Sequence, residues 1–192
     1  MKLKILLFSL VSILALPAMA QEDMLKDFPG YADFGDLNQI FGEPSVQIAV
    51  GGALLGLVST LSASESPEAA ELFKRLHGVR VNVYENTPIS SGAVDYVKDV
   101  SSKLSQRGWE SVVTVNSDDE QVRIFMKISG EKIEGITVMA LDEGEAVFVN
   151  VIGNLRPDEL AQVMDNFDME MISGSLGNGS LGGGDNEDDP EK

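Results

Sequence analysis

The sequence has no cysteine, one histidine and one tryptophan, and it sets only 14 lysines and arginines against 31 aspartates and glutamates. Without cysteine there is neither a disulfide framework nor a thiolate nucleophile, so stability must come from burial even in an oxidising compartment. With His77 alone, a multi-histidine or Cys-His metal site is excluded, and a histidine-assisted serine would depend on this one ring. A net charge of −17 argues against nucleic acid and anionic lipid as partners, since both call for a basic patch. Past the amino end, no apolar run is long enough to cross a bilayer.

The amino end itself, MKLKILLFSLVSILALPAMA, joins Lys2 and Lys4 to an apolar run, Pro17 and the small-x-small triplet Ala18, Met19, Ala20. That is the pattern of a secretory signal peptide over residues 1–20. Cleavage before Gln21 leaves 172 of the 192 residues, enough for one domain with its own core. Loss of the two lysines leaves 12 basic residues against 31 acidic ones, a net −19. The expected location is periplasmic or secreted, with no transmembrane segment left after cleavage.

Residues 21–44 mix acids with Phe28, Tyr31, Phe34, Ile40 and Phe41 around Pro and Gly, and predict an irregular arm laid over the domain. The domain proper is expected at residues 45–172. SVQIAV from Ser45 reads as a strand, and Leu54, Leu55, Val58 and Leu61 give the next segment an apolar helical face. Ser66, Pro67 and Glu68 start a second helix in cap order, with Gly78 as its stop and VRVNVYE as a strand with Val79, Val81 and Val83 inward. Ser90 and Ser91 open a third helix, with Ala93, Val97, Val100 and Leu104 on one side and Gly108 at its end. Pro157 starts a last helix with Leu160, Val163, Met164 and Phe167 on one face, and residues 173–192 form a disordered Gly-rich acidic tail. One imperfect Gly-rich repeat in that tail cannot stack into a calcium-binding β-helix.

Residues 109–153 alternate apolar and polar with tight turns between, and predict a four-strand meander. A two-residue Gly130-Glu131 turn places Trp109, Val113, Val115, Val122, Ile124, Ile128, Ile133, Thr137, Met139 and Leu141 on one face. A three-residue loop, Asp142, Glu143 and Gly144, brings Val147, Val149 and Val151 to that face too. Lys127 then falls across from Glu110 and Glu134. The opposite face carries Val112, Phe125, Ile136, Val138 and Phe148, an apolar strip framed by charge and the expected interaction face, covered either by a partner or by the arm. No catalytic, cofactor-binding or metal residues are assigned: Asp118, Asp119 and Glu120 sit at a solvated hairpin tip, and His77 suits a helix end.

VRVNVYE, RGWESVVTV, VRIFMKI and ITVMALDEGEAVFVNVIGNLRPDEL, with PGYADFGDL and VQIAVGGALLGLV before them, resemble the bacterial secreted family catalogued as domain of unknown function 4252. The resemblance implies an exported domain and transfers no catalytic residue. Members often begin with a lipid-attachment cysteine, which this chain lacks.

The expected architecture is α+β, a mostly antiparallel sheet ending in the meander, with helices packed on one face. The expected role is a non-catalytic exported binding module, its partner a second copy or an envelope protein. The alternatives are a soluble carrier of a small apolar ligand, or a hydrolase with a cleft between sheet and helices. Terminal sequencing of the native protein should return Gln21 first; a product that keeps Met1 in the inner membrane would refute export.

Overall fold

The structure, a computed structural model, describes residues 18–86, 90–117 and 119–157. The expected signal sequence up to Pro17, Asp118, the last helix beyond Pro157 and the tail lie outside them. The elements run α1 (Ala18–Leu25), α2 (Asn38–Phe41), β1 (Val46–Gly51), α3 (Gly52–Ser62), α4 (Pro67–Arg75), β2 (Leu76–Glu85), α5 (Ser91–Gln106), β3 (Trp109–Asn116), β4 (Glu120–Ser129), β5 (Lys132–Asp142) and β6 (Glu145–Leu155). The class is α+β, and the described strands form one antiparallel sheet in the order β1-β2-β6-β5-β4-β3.

Local chemistry explains the helices. The Ser66 hydroxyl accepts from the Ala69 N–H at 3.4 Å and Pro67 occupies the first turn of α4, while Lys74 and Arg75 sit at its negative end. The Ser90 hydroxyl caps α5 by accepting from the Ala93 N–H at 3.1 Å. Ala93, Val97, Val100 and Leu104 are all buried, as their spacing predicts, and Gly108 ends the run at φ +79°. Gly78 behaves otherwise. The chain is extended from Leu76, so Gly78 lies inside β2 and leaves room for the Leu25 side chain.

The meander strands are where expected, but their register differs in three places. After the Gly130 turn, Ile128 pairs with Ile133 while Lys127 pairs with Gly135, so Glu134 is an inserted bulge residue that reverses the parity of β5 beyond it. Leu141 pairs with Ala146, which makes the β5–β6 connection a two-residue turn at Glu143 and Gly144 and not a three-residue loop. Its cause is Asp142, whose Oδ1 accepts from the Gly144 and Glu145 N–H groups at 3.0 and 2.9 Å. The third difference is a second bulge residue, Val112, between Ser111 and Val113. Lys127 therefore faces Trp109 and Gly135, not Glu110 and Glu134, and its ammonium donates to the Arg107 carbonyl.

Helices also cover both sides of the sheet, a correction to the one-sided packing expected. The first face meets α5 and the arm around Phe34, Phe41, Tyr84, Trp109, Phe125, Met139 and Phe148. The second face meets α3 and α4 at one end, around Leu55, Leu72, Phe73, Leu76, Ile133 and Leu155. Val79, Val81, Val83, Val147, Val149 and Val151 line this second face, because each neighbours or pairs with a residue of it.

Trp109 is buried beside Val100 and Leu104 in the first-face core. Trp109→Ala should cost about 3–5 kcal/mol in a denaturant titration, the range for truncating a large core aromatic.

Candidate functional site

The two faces of the sheet differ in chemistry, and the difference begins with the arm. Asn150 is fully buried at the centre of the first face. Its Oδ1 accepts from the Ala32 N–H at 2.9 Å, and its Nδ2 donates to the carbonyls of Gly30 and Ile136 at 3.0 and 3.2 Å. Next to it, Arg80 donates to the Ala32 carbonyl at 3.0 Å and to Glu22 Oε1 at 2.5 Å, and its guanidinium lies 4.5 Å from the Tyr31 ring centroid. A Cβ on Gly30 would run into the Glu134 carbonyl, so arm backbone rests directly on the bulge of β5. Phe34 and Phe41 then pack on Phe148 with ring centroids 5.5 and 5.1 Å apart. This face is closed.

The expected interaction strip does not exist as one surface. Phe125 and Phe148 belong to the closed face and are buried beneath α5 and the arm. Ile136 pairs with Met126 and Val138 with Ile124, so both lie on the opposite side. Val112 is exposed in its bulge on the edge strand. Of the two occupants considered for the strip, the arm covers the aromatic pair. Two steps account for the split: Glu134 turns Ile136 and Val138 away from Phe125, and the two-residue turn at Glu143 and Gly144 turns Phe148 away from Ile136 and Val138.

The open surface is the second face beyond α3 and α4. Val46 and Ile48 are exposed there on β1, and Val113, Val115 and Ile128 on β3 and β4. Between them run Val81, Val83, Val147, Val149, Val138, Val122 and Ile124, each half-buried. At the end away from the helices the face stops at carboxylates: Glu85 pairs with Glu145, and Glu120 with Asp142. On the same side, α3 turns Leu54, Leu57 and Leu61 to solvent at 39%, 55% and 69% exposure. Its inward residues are Leu55 and Ser59, the latter donating to the Ala70 carbonyl at 2.7 Å. Sequence reasoning placed Leu54 and Leu61 in the core because α3 is apolar all round, and in such a helix periodicity cannot pick the buried side.

Other candidates are structural. His77 stands in β2 with its ring stacked 4.5 Å from Phe28 and its Nε2 3.1 Å from Asn154 Nδ2. A hollow of about 180 Å³ between arm and α5 is lined by Asp33, Asp36, Tyr96 and Lys103, and an apolar one of about 330 Å³ by Met126, Ile128, Ile133 and Pro157. Among the described residues no three acids or histidines are grouped to hold a metal ion, and no helix is long and apolar enough to cross a membrane.

Residues 41–163 match the model of the family described as Domain of unknown function (DUF4252). The chain belongs to that family. No curated protein matches it. The match takes in the whole sheet with α3, α4 and α5, and it begins after most of the arm that closes the first face.

Three tyrosines tie into the arm: Tyr31 donates to Glu22 Oε1 at 3.0 Å, Tyr84 to Asn38 Oδ1 at 3.1 Å, and Tyr96 to the Phe34 carbonyl. Burial pushes all three hydroxyls from 10.0 up to about 12. The folded state thus keeps protons that the unfolded chain releases, so the tyrosines' contribution to stability is level below pH 10 and falls from pH 10 to 12. Denaturant midpoints measured through that window should drop steeply in the native protein and less steeply in Tyr84→Phe, while phenolate absorbance should rise only with unfolding.

Proposed function

We propose that the protein is a non-catalytic exported interaction module that works through the open side of its sheet. The observation that carries this reading is the α3 stripe, Leu54, Leu57 and Leu61, set in solvent, with Val46 and Ile48 also exposed on β1. Soluble monomers seldom leave contiguous apolar surface of this kind bare, and leucines at i, i+3 and i+7 form the anchor pattern of a helix that seats in a partner's groove. The carboxylate row at Glu85, Glu145, Asp142 and Glu120 favours a partner with an apolar centre and a basic border. It disfavours a second copy, because two chains of net charge −17 repel. The amino-terminal pattern supports export and so an envelope protein as the partner.

A photoreactive residue at Leu57 should form one discrete adduct with an envelope protein in cells, and the same residue at exposed Glu68 on α4 should not. Leu54→Asp with Leu61→Asp should abolish the adduct and leave stability within about 0.5 kcal/mol, as surface substitutions do. Absence of an adduct at Leu57, or equal adducts at both positions, would sink the reading.

A further inference from the structure

The closed face grips the main chain of the arm at every second residue. Asn150 donates to the Gly30 carbonyl at 3.0 Å and accepts from the Ala32 N–H at 2.9 Å, Arg80 donates to the Ala32 carbonyl at 3.0 Å, and the Tyr96 hydroxyl donates to the Phe34 carbonyl. Gly30, Ala32 and Phe34 are buried, while Tyr31 is half-buried and Asp33 exposed. Burial and hydrogen bonding thus share the period of two that belongs to an extended chain. Such a site draws affinity from the backbone and selectivity from alternate side chains. Here the selection is narrow. A Cβ at position 30 would meet the Glu134 carbonyl oxygen at 1.7 Å, Ala32 has no exposed surface, and the Phe34 ring lies 5.5 Å from that of Phe148.

The gripping groups and the segment they hold are separable. Asn150, Arg80 and Tyr96 fall within the family match at residues 41–163, and Gly30 to Phe34 fall before it. The join is Gly42, at φ +80° and ψ −151°, a conformation open to glycine and to almost no other residue. A Cβ there would find no atom within 4 Å, so the backbone alone calls for glycine. Past it, the Ser45 N–H and hydroxyl both donate to the Val83 carbonyl and fix the chain to β2. The arm is in effect a ligand on a tether of Gly42, Glu43 and Pro44.

We propose that the closed face is a site for an extended segment with glycine, alanine and phenylalanine at alternate positions, and that a second copy of the chain supplies this segment by arm exchange. Exchange remakes each of these contacts between chains, so none of them is lost. The balance then falls to the tether. A short flexible one holds the arm at an effective concentration on the order of millimolar, so the monomer prevails in dilute solution. Charge opposes the pair, as it does at the open face, but here the recovered contacts act against it and salt screens it. The exchange lies across the sheet from the α3 stripe and does not rest on the reading of that stripe.

The test uses the full chain with p-benzoylphenylalanine in place of Tyr31, an aromatic whose ring faces Arg80. In dilute solution the wild-type hinge should leave a monomer whose adducts join the arm to β2 within one chain. Gly42→Val disfavours positive φ and favours an extended hinge. At high salt it should lower the concentration at which half the chains are dimeric by about tenfold or more, tenfold corresponding to about 1.4 kcal/mol of hinge strain. Irradiating a mixture of isotopically heavy and light chains should then give heavy–light adducts on the same β2 peptides. Gly42→Ala carries the same expectation should the valine variant fail to fold, and the wild type should give such adducts near about millimolar concentration. A dimerisation midpoint that neither hinge variant moves, or adducts between chains that map to α3, β1 or β3, would overturn the exchange.

Discussion

The side-chain amide of Asn150 is the contact on which the division of this molecule into a closed and an open side depends. Buried in the centre of the sheet, it would cost roughly 1–3 kcal/mol per unmet group if left alone. Three partners meet it, two of them backbone groups of the arm at Gly30 and Ala32. The arm is thereby obliged to lie flat on β6 and β5. Arg80 reinforces the same line through the Ala32 carbonyl and half-buried Glu22, whose loss would strand the buried guanidinium charge. Once the arm is fixed, Phe34 and Phe41 have one place to go, against Phe148, and the aromatic core of the first face is complete.

The second face solves the same problem with different residues. Its central strands carry Val and Ile almost throughout, whereas the closed side alternates large aromatics with buried Arg80, Asn82, Asn150, Thr137 and Arg123. Arg123 is met by neutral acceptors on its own hairpin, the Val115 and Val122 carbonyls at 2.6 and 2.9 Å and Asn116 Oδ1 at 2.5 Å. Polar groups in the closed core thus hold definite geometry, and β-branched residues on the other side offer shape without hydrogen bonds. Such a surface accepts a helix readily, as α3 and α4 demonstrate.

This chemistry also explains what could be read from the sequence. Element order from β1 to β6, the Ser66 and Ser90 caps, the α5 stripe, the burial of Trp109 and the α+β class were all legible, because each follows from local residue type and spacing, whereas α1 and α2 in the arm expected to be irregular were not. Facing was not. Both sides of β4, β5 and β6 are apolar, so alternation alone leaves two registers nearly equal, and the choice falls to single residues in the connections. Glu134 adds one residue to β5, and the Asp142 carboxylate closes a two-residue turn where a glycine suggested three; each step exchanges inside for outside. Phe125 and Phe148 were for this reason grouped with Ile136 and Val138, which lie across the sheet from them. The bulge also brings Gly135 under Gly30, two glycines far apart in the chain that meet backbone to backbone, a contact that local pattern does not reveal.

The bulge at Val112 has a consequence for growth of the sheet. The terminal strands are β1 and β3; α1 lies against β1, whose first residues Val46, Gln47 and Ile48 are nonetheless exposed. A sheet with two bare rims can polymerise without limit, one molecule adding to the next. Each addition needs an unbroken ladder along the rim it uses. The extra residue at Val112 interrupts even that ladder, and the acidic charge opposes it over a screening length of about 8 Å at physiological salt. High ionic strength therefore removes one of the two barriers to pairing at β3 and leaves the other, a kink of a single residue.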